Sequence, residues 1–131
     1  MAAQIPDRPT VLVVDDDLSI RVLTTIILAR AGHSPTAVAA PPRALERVAE
    51  GGVDVVLTDL QMPGLDGFDL LHALRAMRPA PPAVVMTASA DEESTARALA
   101  LGARAIVRKP FALEELTAPI ADVLGRQRLA A

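Results

Sequence analysis

Apolar residues along this chain fall into two alternating patterns. Five short runs, rich in β-branched residues, have the length of strands, and the third run is apolar enough for a strand buried on both faces. Between and after these runs, apolar residues recur every three or four positions, as on one face of a helix. The strands are predicted at residues 10–14, 36–39, 53–58, 83–86 and 105–107.

Each predicted strand is followed by a predicted helix. A connection that contains a helix joins parallel strands, and such sheets carry helices on both faces. The pattern therefore predicts an α/β fold, a doubly wound (βα)5 arrangement with a five-stranded parallel sheet.

The spacing also predicts which residues of the first and fourth helices are buried. The predicted stripe of the first helix consists of Ile20, Leu23, Ile27 and Ala31. That of the fourth helix consists of Ala96, Leu99 and Ala100.

Capping and turn-forming residues predict where three helices begin. Asp66 is a suitable N-cap for the third helix, and Ser89 and Glu92 have the spacing of a capping box for the fourth. The fifth helix is predicted to begin near residue 112. Pro119 lies within its pattern and predicts a bend or a later start.

Composition places the chain among soluble globular proteins. It has 131 residues, of which 51% are hydrophobic and 22% charged, enough for one domain with its own core. We assign residues 1–8 to an N-terminal extension, 9–125 to the domain, and 126–131 to a C-terminal tail or truncated linker. The net charge of −3 argues against a nucleic-acid-binding surface on this domain.

The location indicated by the sequence is the cytoplasm. No cysteine is present, which excludes disulfides and thiolate metal sites and is typical of a reducing compartment. Pro6 and Pro9 lie where a signal peptide needs its apolar segment, and no run approaches the roughly 18 apolar residues of a membrane span.

Polar residues suited to metal binding or catalysis follow four of the predicted strands. Since the carboxyl ends of parallel strands lie at one edge of a sheet, residues distant in sequence should meet there. These residues are Asp15 and Asp16 after the first strand, Asp59 after the third, Thr87 after the fourth and Lys109 after the fifth.

Three crowded carboxylates repel one another, and a divalent cation relieves the repulsion. Hard oxygen ligands favour Mg²⁺, which usually takes one or two carboxylates together with water and phosphate oxygens. We predict Asp16 and Asp59 as direct ligands, with Asp15 acting through water or supporting them by hydrogen bonding. A backbone carbonyl near Gln61 is predicted to complete the protein ligands.

The same edge has the groups needed for phosphoryl transfer. Lys109 supplies a mobile point charge suited to phosphate, and Thr87 supplies a hydroxyl donor. Carboxylates act as nucleophiles that form aspartyl-phosphates, and positioning with charge stabilisation supplies most of the catalysis. Asp59 is therefore a candidate phosphoacceptor.

Four motifs carry a resemblance to the receiver domain of two-component response regulators, and thus to a CheY-like, flavodoxin-like fold. They are VLVVDDD at residues 11–17, TDLQMPGLDG at 58–67, MTA at 86–88 and VRKPF at 107–111. The resemblance covers about residues 9–125. It implies that Asp59 is the phosphoacceptor, that Asp15 and Asp16 hold Mg²⁺, and that Thr87 and Lys109 bind the phosphoryl group. It also implies a cis peptide before Pro110.

The resemblance implies partners as well. The donor would be a phosphohistidine on a histidine kinase or histidine phosphotransfer protein, and the output would be a downstream protein or a fused output domain. It implies a signalling phosphoacceptor with slow autodephosphorylation, which is not a turnover enzyme. Family members form homodimers in some cases, so a homodimer is possible here.

One position departs from the family. A Tyr or Phe usually stands three residues before the lysine and turns inward when the threonine moves, but here the residue is Ile106. Isoleucine is stiff at χ1 and has no hydroxyl. We therefore predict that the switch between Thr87 and Ile106 lacks the usual ring movement, and that output runs through residues 87–91 and the following helix.

Two other interpretations remain open. Haloacid-dehalogenase-like phosphatases also have an Asp-x-Asp pattern after an apolar strand, although Ser19 stands where they have Thr or Val and the chain is short for that core. Sustained hydrolysis of small phosphate esters would favour that family. A receiver-like domain that works by docking alone would account for Ile106, and failure to bind beryllofluoride with Mg²⁺ would favour it.

Overall fold

A computed structural model describes residues 8–88 and 91–130, with side chains described as far as Arg126. Strands and helices alternate along the whole of this part of the chain. The strands are β1 Thr10–Val14, β2 Ser34–Val38, β3 Val55–Asp59, β4 Ala83–Thr87 and β5 Ala103–Arg108. The helices are α1 Leu18–Arg30, α2 Pro41–Ala49, α3 Gly67–Arg75, α4 Glu92–Ala100 and α5 Leu113–Ala130.

The five strands form one parallel sheet in the order β2-β1-β3-β4-β5. The chain reverses its direction of travel across the sheet between β1 and β3, and ligand crevices in open α/β sheets lie at such a switch point. The register pairs Val14 with Thr58, so that Asp15 and Asp59 lie side by side at the ends of neighbouring strands. The predicted (βα)5 doubly wound fold is confirmed.

Two apolar layers cover the two faces of the sheet. One contains residues from α2, α3 and α4, and the other contains residues from α1 and α5. Every residue of β3 and of β4 is buried. Burial on both faces explains why these strands appear in the sequence as continuous apolar runs without alternation.

The predicted buried face of α1 is wrong at two of its four positions, because Ile20 and Ile27 are half-buried, with Ile27 packed against the core, but Leu23 and Ala31 are exposed. Thr24 and Leu28 are the buried residues of this helix, whereas Leu23 is 48% exposed and Ala31 lies beyond its end. Apolar residues surround the whole circumference of α1, so their spacing cannot select one face. Four large apolar side chains remain exposed: Leu18, Val22, Leu23 and Ile26.

The predicted buried face of α4 is also wrong. Ala98 is its buried residue, while Ala96, Leu99 and Ala100 are exposed. Small residues dominate this helix and give it a weak pattern. The N-cap of α4 is Asp91, whose carboxylate accepts a hydrogen bond from the Ser94 amide. The capping box predicted from Ser89 and Glu92 therefore does not begin this helix. Ser89 itself lies outside the described residues.

The beginnings of α3 and α5 are closer to prediction. Asp66 is the N-cap of α3 and forms a reciprocal capping box with Asp69. Helix α5 begins at Leu113 and continues through Pro119, so the proline does not delay its start. The helix extends past residue 125 through residues assigned to a tail, and the domain boundary itself stays a prediction. Among the described helices, none is both long and apolar enough to cross a membrane.

Thr24→Val is expected to raise the free energy of unfolding by about 1 kcal/mol, because Thr24 Oγ1 is buried without a hydrogen-bond partner and valine has a similar shape. Urea denaturation measures the change. Thr25→Val is the matched control, since the Thr25 hydroxyl donates to the Val22 carbonyl at 2.8 Å and its loss should bring no gain. Equal stability of Thr24→Val and wild type would contradict the expectation.

His33 should make folding sensitive to acid. Its imidazole is buried, and burial lowers its pKa below the usual value of 6.5. The unfolded chain therefore binds a proton at His33 more readily than the folded chain does. The stability that the folded state has with a neutral His33 is fully present above pH 6.5 and is lost as the pH falls below it. Between pH 7.5 and about 5.5, the free energy of unfolding should fall less steeply in His33→Gln than in wild type. His72→Gln, at an exposed position, controls for loss of an imidazole, and equal slopes in His33→Gln and wild type would refute the role of His33.

Candidate functional site

The site lies at the carboxyl edge of the sheet, where β1, β3, β4 and β5 end. The pairing of Thr87 with Arg108 places Lys109 beside Thr87, and the Lys109 amide donates to the Thr87 carbonyl at 2.9 Å. The sheet thus brings together residues that are up to 94 positions apart in sequence. The predicted meeting of these residues is confirmed, while their roles stay predictions.

Three carboxylates gather at this edge. Asp15, Asp16 and Asp59 each have a carboxylate oxygen within 4.8 Å of the others. Asp15 and Asp59 are buried, whereas Asp16 is exposed and faces solvent. A set of hard oxygen donors of this charge and spacing fits a divalent cation of the Mg²⁺ type.

Lys109 bridges two of these carboxylates. Its ammonium nitrogen lies 2.8 Å from Asp15 Oδ2 and 3.0 Å from Asp59 Oδ2. Burial alone would lower the pKa of Lys109, but the hydrogen bonds and negative charges of Asp15 and Asp59 outweigh burial and raise it above its usual value. The ammonium therefore remains charged, and its charge offsets part of the repulsion between the carboxylates.

Backbone amides hold the other oxygens of the same two carboxylates. The Asp17 amide donates to Asp15 Oδ1 at 2.9 Å, and the Gln61 amide donates to Asp59 Oδ1 at 3.3 Å. Both contacts come from loops that follow the strands directly, so short-range geometry sets the direction of each carboxylate. The Gln61 side chain is exposed, and its predicted backbone role stays a prediction.

The two predicted switch residues lie at different depths. Thr87 is buried at the end of β4, at the edge that carries the carboxylates. Ile106 pairs with Val85, two positions before that end, and its half-buried side chain packs against the core layer of α2, α3 and α4. An isoleucine in this position contributes to packing and presents no polar atom.

Two residues near the site escaped the sequence analysis. Arg21 of α1 donates from Nη1 to the Asp15 carbonyl at 2.8 Å, and its position on a helix with apolar residues all round gave no sign of this contact. Gly67 lies against the backbone of Asp59 and appeared in the sequence only as part of a motif. The Lys109–Pro110 peptide is cis, as the resemblance implied.

Comparison with known sequences gives one consistent result. A sequence model described as the response regulator receiver domain matches residues 11–121. The DNA-binding transcriptional regulator NtrC of Escherichia coli K12 is 39% identical over 111 residues, which are 85% of this chain and 24% of NtrC. The sensory transduction protein RegX3 of Mycolicibacterium smegmatis is 38% identical over 117 residues, 89% of this chain and 51% of RegX3. The chain thus spans a quarter to a half of these relatives.

Solved structures agree with the sequence matches. The chemotaxis response regulator CheY4 of Vibrio cholerae superposes with a TM-score of 0.81 at 29% identity, covering 88% of this chain and 98% of that one. A response regulator receiver domain protein of Clostridium thermocellum superposes with a TM-score of 0.88 at 26% identity, covering 94% and 99%. The likeness therefore extends over nearly the whole length of single receiver domains.

Proposed function

Because this chain belongs to the response regulator receiver domain family of two-component systems, we propose that it accepts a phosphoryl group on Asp59 in a Mg²⁺-dependent reaction. The donor is a phosphohistidine on a histidine kinase or histidine phosphotransfer protein. The chain carries the group as a signal, loses it by slow autodephosphorylation and does not act as a turnover enzyme.

One observation carries the proposal. A carboxylate at a strand end, Asp59, lies in contact with an ammonium group and within 4.8 Å of two further carboxylates. Like charges are costly to gather at a largely buried site, so their presence indicates a site built for a cation and a bound anion. A haloacid-dehalogenase-like phosphatase would need its nucleophile in the Asp-x-Asp of the first strand, but the sequence matches the receiver domain family over residues 11–121.

The proposed transfer uses groups that the edge already holds. An Asp59 carboxylate oxygen attacks the phosphorus, the phosphorus–nitrogen bond to the donor histidine breaks, and its electron pair leaves on the imidazole nitrogen. Lys109 offers its charge to the phosphoryl oxygens, and Thr87 offers a hydroxyl. Asp15, Asp16, Asp59 and the Gln61 carbonyl would hold Mg²⁺, which supplies charge neutralisation at those oxygens when bound.

The output is proposed to run through the end of β4 and helix α4. A phosphoryl group adds roughly −1.5 to −2 charge, which draws Lys109 and Thr87 toward it and alters the surface beyond them. Ile106 cannot report this change by a ring movement. Two relatives carry names that refer to transcription or transduction, and we place the output here in a downstream protein or a fused output domain, with homodimer formation as one route.

The experiment is incubation of the purified protein with acetyl phosphate, with and without Mg²⁺, followed by intact-mass measurement. The expected result is one alkali-labile phosphoryl group per chain that appears only with Mg²⁺ and decays slowly. Sustained release of phosphate from p-nitrophenyl phosphate would favour the phosphatase instead. A protein that takes up neither phosphoryl nor beryllofluoride would favour function by docking alone.

A further inference from the structure

The first residue of α3 lies directly against the backbone of the proposed phosphoacceptor. A Cβ atom on Gly67 would stand 2.2 Å from the Asp59 carbonyl oxygen, 2.7 Å from Leu60 Cα and 3.0 Å from the Asp59 carbonyl carbon. All three atoms belong to the backbone, which cannot rotate out of the way as a side chain can. No residue other than glycine fits this contact unless α3 or the end of β3 moves.

The requirement for glycine at this position is steric. Its φ angle lies outside the left-handed region that favours glycine, in contrast to Gly64 with φ of 76° in the preceding loop. A carbon atom needs to lie about 3.2 Å or more from a carbonyl oxygen, so a methyl group at residue 67 would force a displacement of roughly 1 Å.

The approach of Gly67 to the backbone of Asp59 and Leu60 closes the loop of residues 60–66, which directly follows Asp59. The Gly67 amide donates to the Leu60 carbonyl at 2.9 Å, so both ends of residues 60–66 are joined immediately beside Asp59. Within that loop the Gln61 amide holds Asp59 Oδ1. The capping box of Asp66 and Asp69 fixes the start of α3, so a displacement at Gly67 is passed on to the loop and to Asp59.

We propose that Gly67 is a positioning residue for phosphoryl transfer: by having no side chain, it lets α3 hold the Asp59 backbone and the Gln61 loop in the arrangement that binds Mg²⁺ and accepts phosphoryl. This rests on the proposed function of Asp59. Misplacement of a reacting group by about 1 Å costs about a hundredfold in rate. The displacement produced by a methyl group is of that size.

The test is Gly67→Ala, measured for its Mg²⁺ dissociation constant from the amide chemical shifts of Asp59 and Gln61, and for its labelling rate with acetyl phosphate at saturating Mg²⁺. The expected result is weaker Mg²⁺ binding by about tenfold or more and labelling slower by about a hundredfold. Gly125→Ala is the matched control, because this helical glycine has open space around its Cβ position and should behave as wild type.

Leu74→Ala separates positioning from general loss of stability. Leu74 is a buried residue of the same helix, near its other end, so its truncation destabilises α3 without touching the loop. Any partly unfolded variant is measured in trimethylamine N-oxide, which favours the folded state, with wild type in the same solution. Folded Leu74→Ala should bind Mg²⁺ and label as wild type does.

The outcomes are distinct. If folded Gly67→Ala binds Mg²⁺ as tightly and labels as fast as wild type, the positioning role is overturned while the function of Asp59 stands. The same holds if Leu74→Ala, at the same stability as Gly67→Ala, loses as much Mg²⁺ affinity and labelling rate. If wild type itself neither binds Mg²⁺ nor labels, the proposed function fails and the inference fails with it.

Discussion

Asp59→Asn is expected to lower phosphoryl incorporation from acetyl phosphate by at least about a hundredfold. Asparagine keeps the shape of the side chain and can still accept a hydrogen bond from Lys109. It lacks the carboxylate oxygen that forms the bond to phosphorus. Incorporation is measured by intact mass over a time course at saturating Mg²⁺, with folding checked by circular dichroism.

Asp17→Asn is the control for this substitution. Asp17 follows the acidic pair directly and caps α1 by accepting from the Ile20 amide at 3.1 Å, and asparagine is an equally good N-cap. The same chemical change next to the site, but outside the three gathered carboxylates, should leave labelling close to wild type. Undiminished labelling of Asp59→Asn would place the phosphoacceptor at another residue.

Lys109→Met is expected to lower the free energy of unfolding by about 3 kcal/mol in Mg²⁺-free buffer. The Asp15 side chain is fully buried and that of Asp59 is 11% exposed, so loss of the ammonium removes the positive charge that contacts both carboxylates. A cation can take over that role. Addition of Mg²⁺ should therefore raise the thermal midpoint of the variant by more than it raises that of wild type.

Differential scanning calorimetry across a Mg²⁺ series measures both parts of this expectation. Arg108→Met is the matched control, because Arg108 directly precedes Lys109 and is exposed. This substitution also removes one positive charge from the same strand end. Its stability should change little with or without Mg²⁺. Equal Mg²⁺ responses in Lys109→Met and wild type would show that the ammonium and the cation do not share the carboxylates.

The sheet and the meeting of the site residues could be predicted because short-range patterns determine them. The buried strands β1, β3 and β4 appear as apolar runs that end at Asp15, Asp59 or Thr87, and the shorter apolar run of β5 leads to Lys109. Once every connection contains a helix, parallel pairing brings all these ends to one edge. Little tertiary information is needed for that inference.

Helix faces were harder to predict for a physical reason. Helix α1 is apolar all round, and the residue that faces the core in its middle is the polar Thr24, while Leu23 beside it is exposed. In α4 the alanines differ little in apolar area, so the buried position, Ala98, follows from where the helix lies on the sheet. The pattern of a helix defines its face only when its polar residues are confined to the other side.

Contacts that depend on backbone placement could not be read from the sequence at all. The hydrogen bond from Arg21 to the Asp15 carbonyl and the approach of Gly67 to the Asp59 carbonyl both depend on where a helix begins relative to a strand end. The distance between two such elements is set by the whole packed layer. A glycine in a turn motif is more readily interpreted as a requirement of the turn, although here the requirement is space.

The most direct test of the account is a crystal structure of the wild-type protein with Mg²⁺ and beryllofluoride. We expect beryllium joined to an Asp59 carboxylate oxygen, Mg²⁺ bound among Asp15, Asp16 and Asp59, and Lys109 withdrawn from Asp15 to contact a fluoride. Beryllofluoride at another residue, or a cation bound away from these carboxylates while Lys109 still bridges Asp15 and Asp59, would contradict it.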